Sequence, residues 1–266
     1  MNKFAAYIQI SFKQSFQYKW TFAMTLATQP ILLFINMALF RSIYDYNGVD
    51  TLKGYSFEQM IWYFTSYMLV LSFVWNNTAN QIARKIITGD LSMDLLRPVS
   101  LFQNLMARSI ASRLIAIMMD FIPGLILYSI IIPPEFLTVQ SLLTFAVVVI
   151  PAFLLNYLFN YLLGITAILI QNNASLLSVV NLLAAFTGGA FIPLEFFPSS
   201  VNRIFDFLPF KYIIYWPIQF LLNKQPDTDW MVGKVLLVQL GWIAGLYVVY
   251  RIVWRKLLSK FGDAGG

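Results

Sequence analysis

The chain has 266 residues, of which 59% are apolar and 11% charged, with a mean hydropathy of +0.70 and a formal net charge of +6. Globular domains average about 45–50% apolar residues, and a soluble fold of this length lacks the interior to hide the excess, so the composition specifies an integral membrane protein. Histidine and cysteine are absent, which excludes disulfides, thiol catalysis, imidazole bases and Cys/His metal sites.

Along residues 1–19, Phe4, Ile8, Phe12 and Phe16 recur at four-residue steps while Lys3, Gln9, Lys13 and Gln17 fall elsewhere. This pattern predicts an amphipathic helix lying in the inner headgroup layer. The lysines are too dispersed to open a secretory signal. A membrane crossing needs about 20 apolar residues. Charge-free runs at 20–40 and 59–83 predict the first two spans, drawn at 20–44 and 58–83. A third, 106–132, carries Arg108 and Arg113 near its start and Asp120 near its middle.

From Phe136 to Leu194 the chain holds no charge, a length far beyond one crossing. The polar turn Gln171-Asn172-Asn173 divides it into spans at 140–170 and 174–192, with a kink or an interfacial start expected at Pro151. A sixth span, 231–252, leaves Lys234 to snorkel toward the headgroups. The predicted fold is all-α, with six transmembrane helices.

Basic residues set the orientation. Lys3, Lys13, Lys19, Arg84, Lys85, Arg97, Arg108, Arg113, Arg251, Arg255, Lys256 and Lys260 fall on one side, twelve in all, against six on the other. Both termini are therefore expected in the cytoplasm. The basic character is a topology signal, and no nucleic-acid partner is expected.

Two connecting segments carry more information than the spans. In the cytoplasmic segment 86–100, Gly89 supplies a left-handed stop and Asp90 a cap, and Pro98 limits the short helix that follows. Leu91, Leu95 and Leu96 are expected to project from one side beside Asp94 and Arg97, an apolar face suited to docking on a partner protein. The outer segment 193–229 is too apolar for an ordinary loop, yet Pro193, Pro198, Pro209 and Pro217 break it. It is expected to be a re-entrant or interfacial helical hairpin, with Gly188-Gly189 letting the fifth span approach a neighbour or bend.

GDLSMDLLRPVS, in the cytoplasmic segment, resembles the coupling segment of bacterial ABC type-2 exporter permeases, in particular the subgroup with a G[DE]L…LLRP loop. GGAFIPLEFFP, followed by LPFKYIIYWPIQFLL, resembles the re-entrant region of the same family. The resemblance implies a permease in a bacterial plasma membrane, paired with a second permease, identical or paralogous, and two copies of a cytoplasmic ATPase that holds the ATP and Mg. It also implies ATP-driven export, with Asp90, Leu91, Asp94, Leu95, Leu96 and Arg97 contacting the ATPase. The chain carries no GxxxxGK[ST] phosphate loop of its own, so no cofactor is expected in it.

Polar residues within the spans are candidate substrate contacts: Asn36, Asp120, Asn156 and Asn160, with Glu195 in the outer segment as a gate or a helix cap. Asp120 paired with Arg113, and the asparagines bonded between helices, are the structural alternatives. An amphipathic cargo fits this aromatic, weakly polar lining. Two other functions are the alternatives: a self-contained transporter or channel using Asp120, which calls for an inverted repeat, and an intramembrane enzyme, which calls for clustered carboxylates.

Overall fold

Helices carry almost all of the backbone in the computed structural model, which describes residues 19–95, 100–170, 173–224 and 228–263. The predicted interfacial helix, but for Lys19, lies outside the described residues, as do Leu96 and Arg97. α1 (Lys19–Asn47) ends at Gly48, whose positive φ of 62° lets its N–H reach back to Tyr44 O at 2.9 Å. A two-stranded hairpin follows, which the sequence reading did not foresee. β1 (Thr51–Leu52) pairs antiparallel with β2 (Tyr55–Ser56) around Lys53 and Gly54, both at positive φ, the geometry of a two-residue turn that matches strand twist.

α2 (Phe57–Val74) starts in a capping box: Ser56 Oγ accepts from the Gln59 N–H and Gln59 Oε1 accepts from the Ser56 N–H, both at 3.3 Å. The expected continuous second span is broken here. α2 stops at Val74, and α3 (Thr78–Ile87) starts after a break at Trp75-Asn76-Asn77. Trp75 is extended, and Asn76 Oδ1 accepts from the Thr78 N–H at 3.3 Å. The break thus comes from asparagine side chains competing for backbone donors. α4 (Asp90–Leu95) follows the left-handed Gly89.

α5 (Leu101–Ala116), capped by Ser100 Oγ on the Gln103 N–H, runs through a π-helical turn at Ile117–Phe121 into α6 (Ile122–Ile131). α7 (Val139–Ile165) takes Pro151 into its interior. α8 (Ala174–Thr187) ends five residues short of its predicted limit. There the Ala190 N–H bonds Ala185 O and the Gly189 N–H bonds Phe186 O, with Gly189 at φ +79°, the glycine-terminated helix stop. A one-turn 3-10 helix (Leu194–Phe196), α9 (Ser199–Asp206), α10 (Pro209–Ile213) and α11 (Tyr215–Leu221) make up the proline-broken segment. α12 (Thr228–Asp263) closes the chain.

Three stretches among the described residues, Leu101–Ile131, Val139–Ile168 and Asp229–Lys256, are long and apolar enough to cross a bilayer. At about 1.5 Å per residue α8 spans about 21 Å, short of the hydrocarbon thickness. The fold is that of an all-α membrane protein arranged around α7, which packs against α2, α3, α10, α11 and α12. Phe145, Val148, Ala152, Leu155 and Tyr157 bury its inner faces. Its close approach to α3 requires Gly164, where a methyl would stand 2.9 Å from Ala79 Cα and from Ile82 Cβ. Gln239 of α12, fully buried, donates to Val148 O at 3.1 Å and Tyr212 O at 2.9 Å, tying three helices together.

Candidate functional site

The short helix α4 sits on a rigid stop. The Thr88 N–H bonds Arg84 O, and Thr88 Oγ1 donates to Asp90 Oδ2 at 2.6 Å. The sequence put Leu91 on the outward apolar face. In the fold it is 4% exposed, inside a cluster with Ile82, Leu101 and Leu105. That expectation is corrected: a leucine one residue after the turn faces back onto α3 and α5 and anchors the helix. Met93, which the sequence reading passed over, is 67% exposed instead. Asp94 and Leu95 fall in the last turn of α4.

The α2–α3 break lies between two polar cavities. It leaves Val74 O without its helical donor, and Asn156 Nδ2 of α7 takes that place at 2.7 Å. Asn160 Nδ2 in turn donates to Asn156 O (2.9 Å) and Oδ1 (3.0 Å). Asn156 and Asn160 thus make interhelical and local hydrogen bonds, and they also line a cavity of about 290 Å³ with Asn76, Asn80 and Asn181. The last three were missed, although WNNTAN places three asparagines within six residues.

The second cavity, about 420 Å³, is bordered by Gln29, Ser72, Arg113 and Asp120. Arg113 Nη1 donates to Leu71 O at 3.2 Å and to Ser72 O at 3.4 Å, and its guanidinium stands 5.6 Å from the Trp75 ring centroid. It therefore serves the open carbonyl end of α2, where a helix favours a cation. Asp120 sits in the π turn and has no hydrogen-bond or ion-pair partner among the described residues. The expected Arg113–Asp120 pair shares a cavity without direct contact. Trp75 and Leu71 border both cavities. Asn36 joins neither: its Nδ2 donates to Leu32 O of its own helix at 2.9 Å.

Glu195 lies apart, in the first turn of the 3-10 helix, where its Oε1 accepts from Tyr55 Oη at 2.9 Å and from Tyr215 Oη at 2.7 Å. Tyr55 Oη also accepts from Gln219 Nε2 at 2.7 Å, and Tyr63 Oη donates to Gly189 O at 2.6 Å. Lys224 Nζ stands 3.2 Å from the Tyr55 ring centroid and donates to Gly54 O at 2.6 Å. Burial first, then the Glu195 carboxylate, pushes the Tyr55 and Tyr215 hydroxyls well above the usual tyrosine range, so both stay neutral donors. Burial pulls the Lys224 ammonium down, opposed by attraction to Glu195. Glu195 therefore makes no backbone cap; it ties the β1–β2 hairpin to the proline-broken segment. The tyrosines lie 140 and 20 residues away, which is why the sequence reading missed them.

A family model described as ABC-2 family transporter protein matches residues 28–265. No curated protein matches the chain. The family match takes in the α2–α3 break, both polar cavities, α4 and the Glu195 cluster.

Proposed function

We propose a transport role on a premise that the match over residues 28–265 establishes: the chain belongs to the ABC-2 transporter family. Membership makes it a non-catalytic membrane permease of an ABC transporter. We infer further that it moves an amphipathic substrate out of the cytoplasm by alternating access. ATP hydrolysis in a separate pair of ATPase subunits, which hold the ATP and Mg, supplies the energy. A second permease, identical or paralogous, completes the transporter in a bacterial plasma membrane. Six crossings with both termini in the cytoplasm fit the basic-residue distribution.

The observation that carries this reading is the build of α4. Leu91 fixes it to α3 and α5, which pack on or adjoin α7, while Met93 faces outward. Force applied to α4 by a closing ATPase therefore passes into the core rather than into a slack loop. Asp90, Asp94, Leu95, Leu96 and Arg97, with Met93 added, are the proposed ATPase contacts, and Leu91 is the anchor. The broken α2–α3 helix between two polar cavities is the proposed substrate route, since interrupted helices at membrane depth survive where they border a cavity.

The test is a mild-detergent pull-down of the tagged chain from its own membrane. An ABC ATPase is expected to co-purify, and Leu95→Asp with Leu96→Asp is expected to abolish that association. An ATPase alone would support a homodimer; an ATPase with a second permease, the mixed form. Absence of any ATPase would overturn the reading and favour a self-contained transporter using Asp120.

A further inference from the structure

The cavity on the α2 side of the break contains two opposite charges that do not touch. Arg113 is held by the carbonyls of Leu71 and Ser72 and by the Trp75 ring, so it is not free to swing toward Asp120. Asp120 is set by the π turn, a helix irregularity often found at functional sites. Buried charges normally pair or find hydrogen bonds. Here Arg113 Nε and Gln29 Oε1 are both buried without a hydrogen bond, and Asp120 makes no hydrogen bond or contact ion pair among the described residues, only a longer-range attraction to Arg113. The volume, about 420 Å³, falls in the ~300–1,000 Å³ range of small-molecule sites.

We propose that this cavity binds a zwitterionic group, its cationic end facing Asp120 and its anionic end facing Arg113. Both side chains are half-buried, and a ligand of one charge sign would meet only one of them. A zwitterion answers both and adds no net charge to a low-dielectric site. Leu32 and Met68 border the same cavity and are 43% and 42% exposed, so an acyl chain attached to the bound group has an apolar way out between α1 and α2. The proposal deepens the transport reading by naming the class of cargo head, but its test does not depend on the ATPase.

The purified chain, immobilised in dodecyl maltoside, is titrated with radiolabelled dodecylphosphocholine at low mole fraction. One saturable site per chain is expected. Dodecyltrimethylammonium and dodecyl phosphate should each compete about tenfold more weakly, as expected when one charge-assisted contact is lost. Asp120→Asn is the variant of choice, because Asp120 bonds nothing that the fold needs, whereas Arg113 serves the end of α2. It should weaken dodecylphosphocholine about tenfold without weakening dodecyl phosphate, which loses a like charge in its cavity, so that the anionic probe becomes the better competitor. Tailless phosphocholine separates the sources: competition equal to that of the dodecyl compound supports a soluble zwitterion, and weaker competition supports a lipid. Absence of saturable binding, competition by the cationic and anionic probes equal to that of dodecylphosphocholine, or an unchanged order in Asp120→Asn would each overturn the proposal.

Discussion

A single hydroxyl does two jobs at Tyr55, donating to Glu195 and accepting from Gln219. Tyr215 gives Glu195 a second donor and accepts no hydrogen bond from another side chain among the described residues. Tyr55→Phe therefore orphans Gln219 Nε2 and removes one of two donors from Glu195 Oε1, whereas Tyr215→Phe removes one donor from Oε1 and orphans nothing. Leaving a buried polar group unpaired costs about 1–3 kcal/mol. Tyr55→Phe is expected to destabilise by that order and Tyr215→Phe by less, measured as thermal unfolding of the chain in dodecyl maltoside. Equal losses would mean that the Gln219 contact contributes nothing. The carboxylate itself was visible in the sequence beside Pro193, but its partners were not, because the fold alone brings β2 and α11 to it.

At the scale of elements, the α2–α3 break and the α3–α7 contact govern the core. Asn156 replaces the missing helical donor of Val74 O at 2.7 Å, so Asn156→Leu leaves that carbonyl only the long 3.5 Å contact from Asn76 Nδ2. Hydrogen bonds between membrane helices are worth about 0.6–2 kcal/mol, and a loss of that order is expected in reversible unfolding by a denaturing detergent. A null result would show that Asn76 or water serves the carbonyl instead. Gly164→Val should cost more: its first methyl group already meets α3 backbone at 2.9 Å, and overpacking a filled interface costs about 1–3 kcal/mol. The expected readout is a lowered melting temperature, with Gly233→Val as control, since a methyl there meets nothing within 4 Å. The break itself was partly legible, since W-N-N-T carries cap-forming side chains. Hydropathy alone hid it, because asparagine is uncharged and did not interrupt the charge-free run.

For the molecule as a whole, orientation is the property to test. The chain has no cysteine, so single-cysteine labelling has no background. Tyr46→Cys, at a residue 91% exposed near the end of α1, is expected to react with an impermeant maleimide from outside intact cells. Met93→Cys on α4 should react only after the membrane is opened. Labelling of both from the same side would overturn the proposed topology. Large apolar side chains face outward on several helices, among them Phe34 and Leu39 on α1, Leu182 on α8 and Leu237 on α12. Within an 18-residue apolar window of each long stretch 17%, 39% and 11% of the residues are buried, which leaves α7 as the inner helix and the other two facing lipid or another chain.

The sequence by itself determined the membrane class, the helical fold, the glycine stop at Gly89, and the uneven placement of basic residues, but not the second stop at Gly189, which ends α8 inside the predicted span. Each of these is a local matter of hydropathy, backbone conformation or charge, decided within a few residues. Tertiary structure alone decided that Leu91 faces inward, that Arg113 serves α2 rather than Asp120, that five asparagines share one cavity, and that Glu195 bonds two tyrosines. These outcomes depend on contacts between residues tens to well over a hundred positions apart: Arg113 to Leu71 spans 42 residues and Asn156 to Val74 spans 82. In a chain so apolar, nearly every helix face is compatible with lipid, so composition cannot say which face turns inward. The few polar groups find their partners only when α7 gathers the other helices around it, because a buried donor or acceptor left alone is the costlier state.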